Sequence, residues 1–431
     1  MKRYSNFDVS LDHIYRTLTK LGKSEVVINA TALKYAQSIF NQGIDLLFFD
    51  VTTLYFESWN QDELRDFGYS KDNKFGQVQI TLALATNSDG FPIGYKLFPG
   101  NKAETTTLIE CIEDWKKTFP ISNVIFVADR GMFSAKNLAK IQESGYKFIV
   151  ACPLRKQTSD LKKRVLDGKN YRTSEVISQD KRDFCWINEY AHSFYHKDLI
   201  EDANDDKGEK SEIHAKVTEI KGRLIASYSP SRANKDRNDR ERMIEKTRKK
   251  YRIQAEKGRA SIKDLIANKG YGKFLSLSCE NTQDISLNEA KIAEDAQWDG
   301  MHAVFTNTEL SAEEVLSRYR GLWKIEECFR LSKTDLKIRP IYHYTPARIR
   351  GHIALCFMSL VVSKALKHKL KENKIDVSLQ RLVEEANSVQ YSILEEKNTK
   401  KRFKLPSSLS PLASEIFEAL GIKRSKKPQS L

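Results

Sequence analysis

The sequence predicts an α/β fold, because stretches typical of buried strands alternate with stretches that have the helical period. The run from Leu46 to Phe56 is rich in aromatic and β-branched residues, as buried strands are. The segment from Ala103 to Phe119 instead places apolar side chains three and four residues apart. With 431 residues, the chain is long enough for two or three domains of roughly 150 residues each.

The first three strands follow one another directly. Leu46 to Phe56 reads LLFFDVTTLYF and sets one acid, Asp50, inside an apolar run. Phe75 to Thr86 and Phe91 to Phe98 are two further strands, separated by NSDG, whose Asp-Gly pair is a strong hairpin signal. We therefore expect three consecutive antiparallel strands with a carboxylate in the first.

Helices and strands then alternate. After the helix at 103–119 come a short strand from Asn123 to Asp129, a helix from Ser134 to Ser144 ended by Gly145, and a strand from Tyr146 to Cys152. The order strand, strand, strand, helix, strand, helix, strand is that of a ribonuclease H-like fold. The second acid of interest, Asp129, ends the fourth strand.

The amino-acid composition changes between about Arg155 and Gly300, where polar and charged residues dominate. Brief strand signals surround an expected turn at Lys221-Gly222, and Ser231 to Arg252 alternates acids and bases at helical spacing. This pattern indicates a large, partly β insertion with one exposed helix, whose charged face is either solvated or in contact with DNA.

Met301 to Thr308 again has the apolar pattern of a strand in the core. Ser311 and Glu314 then form a capping box at the start of one long helix. Further helices are expected from Pro346 to Lys371 and from Ser378 to Val389, before a basic tail. We divide the chain into five parts. Residues 1–43 are a short helical segment, 44–154 the first part of the core, 155–300 the insertion, 301–345 the second part of the core, and 346–431 the C-terminal helical region with its tail.

Charge favours a polyanionic partner. Lys and Arg number 72 against 57 Asp and Glu, a formal charge of +15, and such a surplus attracts phosphate over long range. On charge alone, a merely soluble basic protein is the alternative. A glycosidase with paired acids is disfavoured, because the surplus of cations does nothing for a neutral sugar.

The six cysteines include no CxxC pair, so the pattern predicts neither a disulfide framework nor a zinc site. The amino terminus lacks the apolar stretch of a signal peptide, and the longest apolar run, Ile353 to Val362, is too short to span a bilayer. We expect a cytoplasmic protein without membrane contact.

Three carboxylates match the needs of phosphodiester transfer by two metal ions, which requires acids converging on one point. In the predicted fold, Asp50 and Asp129 lie on adjacent strands and can point to the same face. Tyr319, Glu326 and Lys333 are seven residues apart, nearly two helical turns, and form one stripe on the long helix. The alternatives are a salt-bridged turn for Asp129 and an ordinary surface acid for Glu326.

Four sequence blocks resemble the DDE transposases of bacterial insertion sequences, specifically the IS-four group marked by a Tyr, Arg, Glu, Lys signature. The blocks occur in that group's order and span most of the chain: DVTTLYFE from Asp50, GFPIGYKLFPGNKAE from Gly90, VADRGMFS from Val127 and YRGLWKIEECFRLSK from Tyr319. Jointly they are specific, whereas singly only the last one is.

The resemblance implies a metal-binding and catalytic triad of Asp50, Asp129 and Glu326, which hold two Mg²⁺ ions with Mn²⁺ able to substitute. Glu326 is chosen over its neighbour Glu327 because it lies seven residues after Tyr319. Several side chains are implied or suggested as DNA contacts: Tyr319, Lys333, Arg320, Lys324, Arg330 and Trp298.

The signature arginine is replaced by Leu322 in this chain, and Arg320 or Lys324 are the candidates to supply the missing charge. The resemblance also implies that a tryptophan stacks on a base flipped out of the DNA end. Trp298 and Trp186 are the candidates, and packing in the core is the alternative for either.

The activity implied by the resemblance is metal-dependent cleavage at the ends of an insertion sequence, followed by strand transfer into target DNA. Its partners are the terminal inverted repeats, target DNA and a second copy of the chain in a synaptic complex, with the bacterial nucleoid as location. The alternatives are a ribonuclease H-fold nuclease without strand transfer and an inactive, truncated DNA-binding relic. Only about 45 residues precede the first strand, so residues 1–43 are expected to be a remnant or support.

Overall fold

The chain forms two units in a computed structural model that describes residues 9–40, 45–68, 76–118, 124–178, 181–201, 213–256, 273–277, 285–425 and 427–430. Unit 1 comprises Met1–Val124 and Leu322–Leu431, and unit 2 comprises Ile125–Gly321. Three residues of predicted features lie outside the described residues. They are Phe75, which begins the second predicted strand, Ser211 in the predicted insertion, and Cys279, one of the six cysteines.

Helices and strands are numbered in chain order. The helices are α1 Leu11–Leu21, α2 Glu25–Phe40, α3 Glu104–Thr118, α4 Ala135–Glu143, α5 Ser159–Leu166, α6 Pro230–Glu256, α7 Glu289–Ala296, α8 Ala312–Arg320, α9 Trp323–Thr334, α10 Pro346–Glu372, α11 Leu379–Ser388 and α12 Pro411–Ala419. The strands are β1 Leu46–Tyr55, β2 Gln79–Thr86, β3 Pro92–Pro99, β4 Ile125–Ala128, β5 Lys147–Ala151, β6 Arg172–Ser178, β7 Lys181–Glu201, β8 Ile213–Tyr228, β9 Leu275–Leu277, β10 Ile285–Leu287, β11 Met301–Thr306, β12 Tyr391–Glu395, β13 Arg402–Pro406 and β14 Gln429–Ser430. The mixed α/β class is confirmed.

Unit 1 contains the three predicted antiparallel strands. β2 pairs with both β1 and β3, and the NSDG turn joins β2 to β3. The Asn87 side chain accepts hydrogen bonds from the amides of Asp89 (3.0 Å) and Phe91 (2.8 Å). Gly90 has a φ of +74°, a conformation that glycine adopts without steric cost. The hairpin is therefore specified locally by its turn residues.

A side chain of α2 forms hydrogen bonds with the backbone of β3, the outer strand of this hairpin. Asn29 donates to the carbonyl of Tyr95 (2.8 Å) and accepts from the amide of the same residue (3.0 Å). Asn29 is buried, so each of its polar groups needs a partner there. Helix α2 is not apparent from the sequence, because its own apolar and small residues follow no clear period.

Helix α10 packs within unit 1 against α1, α2 and β3. A Cβ on Gly351 would lie 1.9 Å from the carbonyl oxygen of Leu18, and one on Gly22 would lie 2.2 Å from that of Ala347. The crossing of α1 and α10 therefore requires glycine at both contact points, directly after α1 and within α10. By length and composition α10 could cross a membrane, but half of its most apolar window is buried inside the protein.

Unit 2 contains a sheet with the strand order β4-β5-β11-β8-β7-β6. β4 and β5 are parallel, and the other neighbours are antiparallel. Between 155 and 300 the short strands β6, β9 and β10 are accompanied by two long ones, β7 and β8, which extend the sheet that contains β4 and β5.

The predicted turn at Lys221-Gly222 is wrong, because β8 runs straight through it. Gly222 lies opposite His192 of β7. A Cβ at Gly222 would lie 2.5 Å from the carbonyl oxygen of Thr306, so glycine is required by a close approach to β11 and not by a turn.

The single long helix expected after Ser311 is also wrong, because α8 ends at Arg320 and α9 begins at Trp323. Gly321, which costs about 1 kcal/mol relative to alanine inside a helix, lies at the interruption. The capping box is present at the start of α8, where Ser311 and Glu314 bond each other's backbone amides. Tyr319 therefore lies on a different helix from Glu326 and Lys333.

Helix α6 is anchored in unit 2 by a buried ion pair. Both terminal nitrogens of Arg240 donate to Asp299, at 2.5 and 2.6 Å, and the two side chains are only 8% and 10% exposed. The bidentate geometry offsets the cost of removing both charges from water. The helix predicted to be exposed is therefore buried along one stripe.

We expect Asp299→Ala to lower the free energy of unfolding by about 3 kcal/mol, because it removes the bidentate partner of the buried Arg240 guanidinium and leaves only the longer contact with Asp295, at 3.5 Å. The control is Asp239→Ala on α6, whose pair with Arg242 is 3.6 Å long and exposed and should change stability by less than about 0.5 kcal/mol. Urea unfolding followed by circular dichroism measures both. Equal effects of the two substitutions would contradict the anchoring role of the buried pair.

Candidate active site

Asp50 lies in the middle of β1 among fully buried neighbours. Phe48, Phe49 and Val51 are at most 1% exposed, whereas Asp50 itself is partly buried. Its Oδ1 accepts a hydrogen bond from the Val51 amide at 2.7 Å, which holds the carboxylate in one orientation. A carboxylate in such surroundings is costly unless hydrogen bonds or a cation compensate for the lost water.

Helix α9 covers the face of β1 that carries Asp50. The Lys333 ammonium of α9 donates to Thr52 Oγ1 at 2.9 Å, and Thr52 points to the same face as Asp50 because side chains alternate along a strand. Glu326 precedes Lys333 by seven residues and so lies on the same side of α9. Within unit 1, the structure thus places Asp50 and Glu326 on elements that face each other.

The β2–β3 turn fixes the start of α9. Lys324 Nζ donates to the carbonyl of Ser88 at 2.5 Å, and Cys328 Sγ lies 3.4 Å from the carbonyl oxygen of Gly90. A Cβ on Gly90 would approach Lys324 Cβ to 2.7 Å. The hairpin glycine therefore permits both the turn and the contact with the helix that carries Glu326.

Glu326 and Glu327 differ sharply in environment. Glu327 accepts from Lys364 of α10 at 2.6 Å and lies 3.7 Å from both Lys367 and Arg330. Although burial acts to raise the pKa of Glu327, the Lys364 hydrogen bond and these cations lower it. Glu326 is exposed. Glu327 thus ties α9 to α10, and Glu326 is the more accessible of the two carboxylates.

Asp129 lies in unit 2 at the end of β4, where it precedes a short 3₁₀ turn from Arg130 to Met132. Its carboxylate is exposed and accepts a hydrogen bond from the Tyr319 hydroxyl at 3.1 Å. The ring of His302 packs on that of Tyr319, with centroids 5.0 Å apart and an interplanar angle of 36°. The structure therefore brings together Asp129 and Tyr319, two of the predicted site residues, with the imidazole ring of His302 packed against Tyr319.

His302 is a neighbour of the site that the sequence did not reveal. Burial lowers its pKa to about 4, and Arg232 acts in the same direction while Asp129 opposes it. The imidazole is therefore neutral at pH 7 and packs as an uncharged ring. A lone histidine at the start of a strand carries no sequence signal for such a contact, which depends on the pairing of β11 within the sheet.

Helix α8, which carries Tyr319, is tied to β6. Glu313 accepts from Arg172 and from Ser174 Oγ at 2.6 Å, and Arg320 donates to the carbonyl of Val176 at 3.2 Å. The hydrogen bond from Arg172 lowers the pKa of Glu313 to about 2. These bonds fix the helix end from which Tyr319 reaches Asp129, and they engage Arg320 with the backbone.

The remaining candidates for DNA contact have varied surroundings. Leu322, at the signature arginine position, is buried, and Arg330 is exposed. Trp298 is partly buried after α7, whereas Trp186 is 38% exposed and packs against Tyr228 with centroids 5.7 Å apart. Both tryptophans keep some surface open to solvent.

Asp50, Glu326 and Lys333 belong to unit 1, and Asp129 and Tyr319 belong to unit 2. Over its described residues, neither unit by itself groups three or more His, Cys, Asp or Glu side chains in a way that could hold a metal ion. The oxygen donors of Asp50 and Glu326 are nevertheless of the kind that Mg²⁺ prefers.

Comparison with known families gives one match that covers most of the chain. The model of the family described as transposase DDE domain matches residues 41–362. No curated protein sequence matches the chain.

Two solved structures are distantly similar. The cryo-EM structure of the piggyBac transposase synaptic complex with hairpin DNA has 10% identity and a TM-score of 0.37, covering 88% of this chain and 72% of that one. The Mos1 transposase paired-end complex with the left transposon end has 12% identity and a TM-score of 0.18, covering 34% and 44%. Both likenesses are too weak to define the fold.

We expect Glu313→Gln to reduce stability by about 1 kcal/mol at pH 6, since its ion pair with Arg172 is partly solvated. The folded-state pKa of about 2 lies below the ordinary value of 4.5, so the contribution is complete above pH 4.5 and is lost as the pH falls toward 2. Urea unfolding at pH 6, 4 and 3 measures the difference between the native chain and the variant. A difference that stays constant over this range, or one matched by the exposed Glu309→Gln, would rule out the ion pair as its source.

Proposed function

The chain belongs to the transposase DDE domain family, and on that premise we propose that it cuts DNA at the ends of an insertion sequence and joins them to target DNA. We assign it to the IS-four group of bacterial transposases, with a ribonuclease H-like catalytic core. Both reactions are in-line phosphoryl transfers, one with water and one with a 3′ hydroxyl as the nucleophile.

The observation that carries this proposal is the carboxylate of Asp50 in the buried strand β1, facing the helix that bears Glu326. Together with Asp129, these acids are proposed to bind two Mg²⁺ ions, for which Mn²⁺ can substitute. When bound, such ions clamp the attacking and leaving oxygens of the displacement. The protein's own part is to hold the carboxylates in place, through the Val51 amide for Asp50 and the Tyr319 hydroxyl for Asp129.

Cations and a phenol beside these acids are proposed to bind the DNA phosphates. Lys333 donates to Thr52, two residues after Asp50, and Tyr319 donates to Asp129. Each therefore lies beside one of the proposed metal ligands. Arg330 is exposed on α9. Arg320 and Lys324 are bonded to backbone carbonyls and would contribute charge near the helix ends.

The wider assembly follows the family. We propose that two copies of the chain hold two element ends and the target DNA in a synaptic complex, and that Trp298 or Trp186 stacks on a flipped base. The formal charge of +15 supports binding to DNA by attraction of the phosphates. The place of action is the nucleoid of a bacterial cytoplasm.

We expect Asp50→Asn, Asp129→Asn and Glu326→Gln each to lower Mg²⁺-dependent cleavage of an element-end duplex at least roughly a hundredfold, because a lost ligand removes several kcal/mol of transition-state stabilisation. The matched control is Glu327→Gln, which removes the adjacent carboxylate. Gel analysis of an end-labelled duplex measures the rates, and circular dichroism confirms folding. A folded variant of any of the three that cuts at the native rate would remove that residue from the site.

Strand transfer distinguishes a transposase from a nuclease that only hydrolyses. We expect a labelled duplex with a recessed 3′ hydroxyl to become covalently joined to a supercoiled plasmid in the presence of Mg²⁺. Joining should require the same three acids as cleavage, since both steps use the same ligands. Cleavage without any joined product would favour the nuclease, and binding without either reaction would favour an inactive DNA-binding relic.

A further inference from the structure

Unit 2 contains a cleft of about 820 Å³ whose lining includes none of the three proposed catalytic acids. It is lined by residues of α5 and α7, by Trp298 in the turn that follows α7, and by Arg155 and Lys273. Six lining side chains are cationic and three are acidic. The cleft therefore has a clear excess of positive charge on its walls.

The acids in the cleft do not neutralise the cations that face it from the two helices. Asp295 is bonded by Arg155 and by Lys273, the latter at 2.6 Å. In contrast, none of Lys162, Lys163 and Lys291 forms an ion pair with an acid in the part of the chain that the structure describes. Arg164 of α5 lies over the ring of Tyr190, 5.2 Å from its centroid.

The lysines project from a well-anchored frame. Helix α5 is capped by Thr158, whose side chain accepts from the Leu161 amide, and it buries Leu161 and Val165. Helix α7 is capped by Asn288, and the turn after it is held by the bidentate pair of Asp299 with Arg240. Cations that converge on one cleft repel one another, and a bound polyanion offsets this repulsion.

We propose that this cleft binds the sugar-phosphate backbone of DNA through Lys162, Lys163 and Lys291, as a contact surface separate from the carboxylates. The excess of cations along the cleft indicates a ligand with several phosphates. That this ligand is DNA, and not a small phosphate compound, rests on the proposed function. Trp298 in the cleft wall provides an optical signal for occupancy.

The test uses the full chain and a fluorescent 30-base-pair duplex, with Kd measured by anisotropy at several NaCl concentrations in the absence of divalent ions. The test variant combines Lys162→Gln, Lys163→Gln and Lys291→Gln. The matched control combines Lys397→Gln, Lys401→Gln and Lys423→Gln, which remove the same charge from exposed positions of unit 1. Thermal melting verifies that both variants are folded.

Each phosphate contact contributes about 0.9 to the slope of log Kd against log salt concentration. We expect the slope of the cleft variant to fall by about 2 to 3, with binding at least roughly tenfold weaker at low salt, while the control keeps the native slope. Equal slopes for the cleft variant and the control would overturn the proposal.

A second arm separates DNA from a small anion. Tryptophan fluorescence is titrated with the duplex and with inorganic pyrophosphate, and Trp298→Phe identifies the part of the signal that arises in the cleft. Quenching by the duplex alone supports the proposal. Quenching by micromolar pyrophosphate that the duplex cannot displace would overturn the assignment to DNA.

The outcome is independent of the catalytic proposal, because Asp50→Asn should bind the duplex with the native salt slope whether or not the native chain cleaves it. Absence of cleavage by the native chain, together with a reduced slope in the cleft variant, would therefore refute the proposed chemistry and leave the cleft assignment standing. Cleavage by the native chain, together with an unchanged slope in the cleft variant, would refute the cleft assignment and leave the proposed chemistry standing.

Discussion

The placement of a carboxylate inside a buried strand is the constraint on which the rest of unit 1 depends. Asp50 lies between fully buried side chains, so its charge has to be compensated by hydrogen bonds or by a cation. The Val51 amide gives one such bond. Helix α9 then covers the same face, held by Lys333 on Thr52 and by the turn at Gly90. The hairpin, the helix and the acid are therefore specified together.

Strong polar bonds hold the frame, while two of the three acids proposed for chemistry, Asp129 and Glu326, remain accessible. In unit 2, Glu313 with Arg172 ties α8 to β6, and Asp299 with Arg240 ties α6 to the turn before β11. In unit 1, Glu327 with Lys364 ties α9 to α10. By contrast, Asp129 and Glu326 are exposed. This division is expected of a site that must bind ions and a polyanion reversibly, because a carboxylate already engaged in a buried pair would bind neither.

The sequence predicted those parts of the fold that are encoded locally. The three strands and their turn followed from apolar runs and the Asp-Gly pair, and the capping box at Ser311 marked the start of a helix. The errors occurred where tertiary contacts decide: Gly222 allows a close approach to β11, and Gly321 interrupts a helix whose apolar period continues. The contact of His302 with Tyr319 depends on strand pairing and left no local pattern. Family spacing singled out Glu326, and only the bonds of Glu327 with Lys364, Lys367 and Arg330 explain in physical terms why the two neighbours differ.

We propose above all that Asp50, Asp129 and Glu326 bind the catalytic ions together. Fe²⁺ can replace Mg²⁺ at oxygen-ligand sites, and with ascorbate and peroxide it generates radicals that cut the polypeptide next to the bound ion. The most direct measurement is to map these cuts by mass spectrometry in the native chain bound to an element-end duplex, with excess Mg²⁺ as competitor. We predict Mg²⁺-sensitive cuts beside all three acids. Cuts that cluster elsewhere, or that omit any one of the three, would contradict the claim.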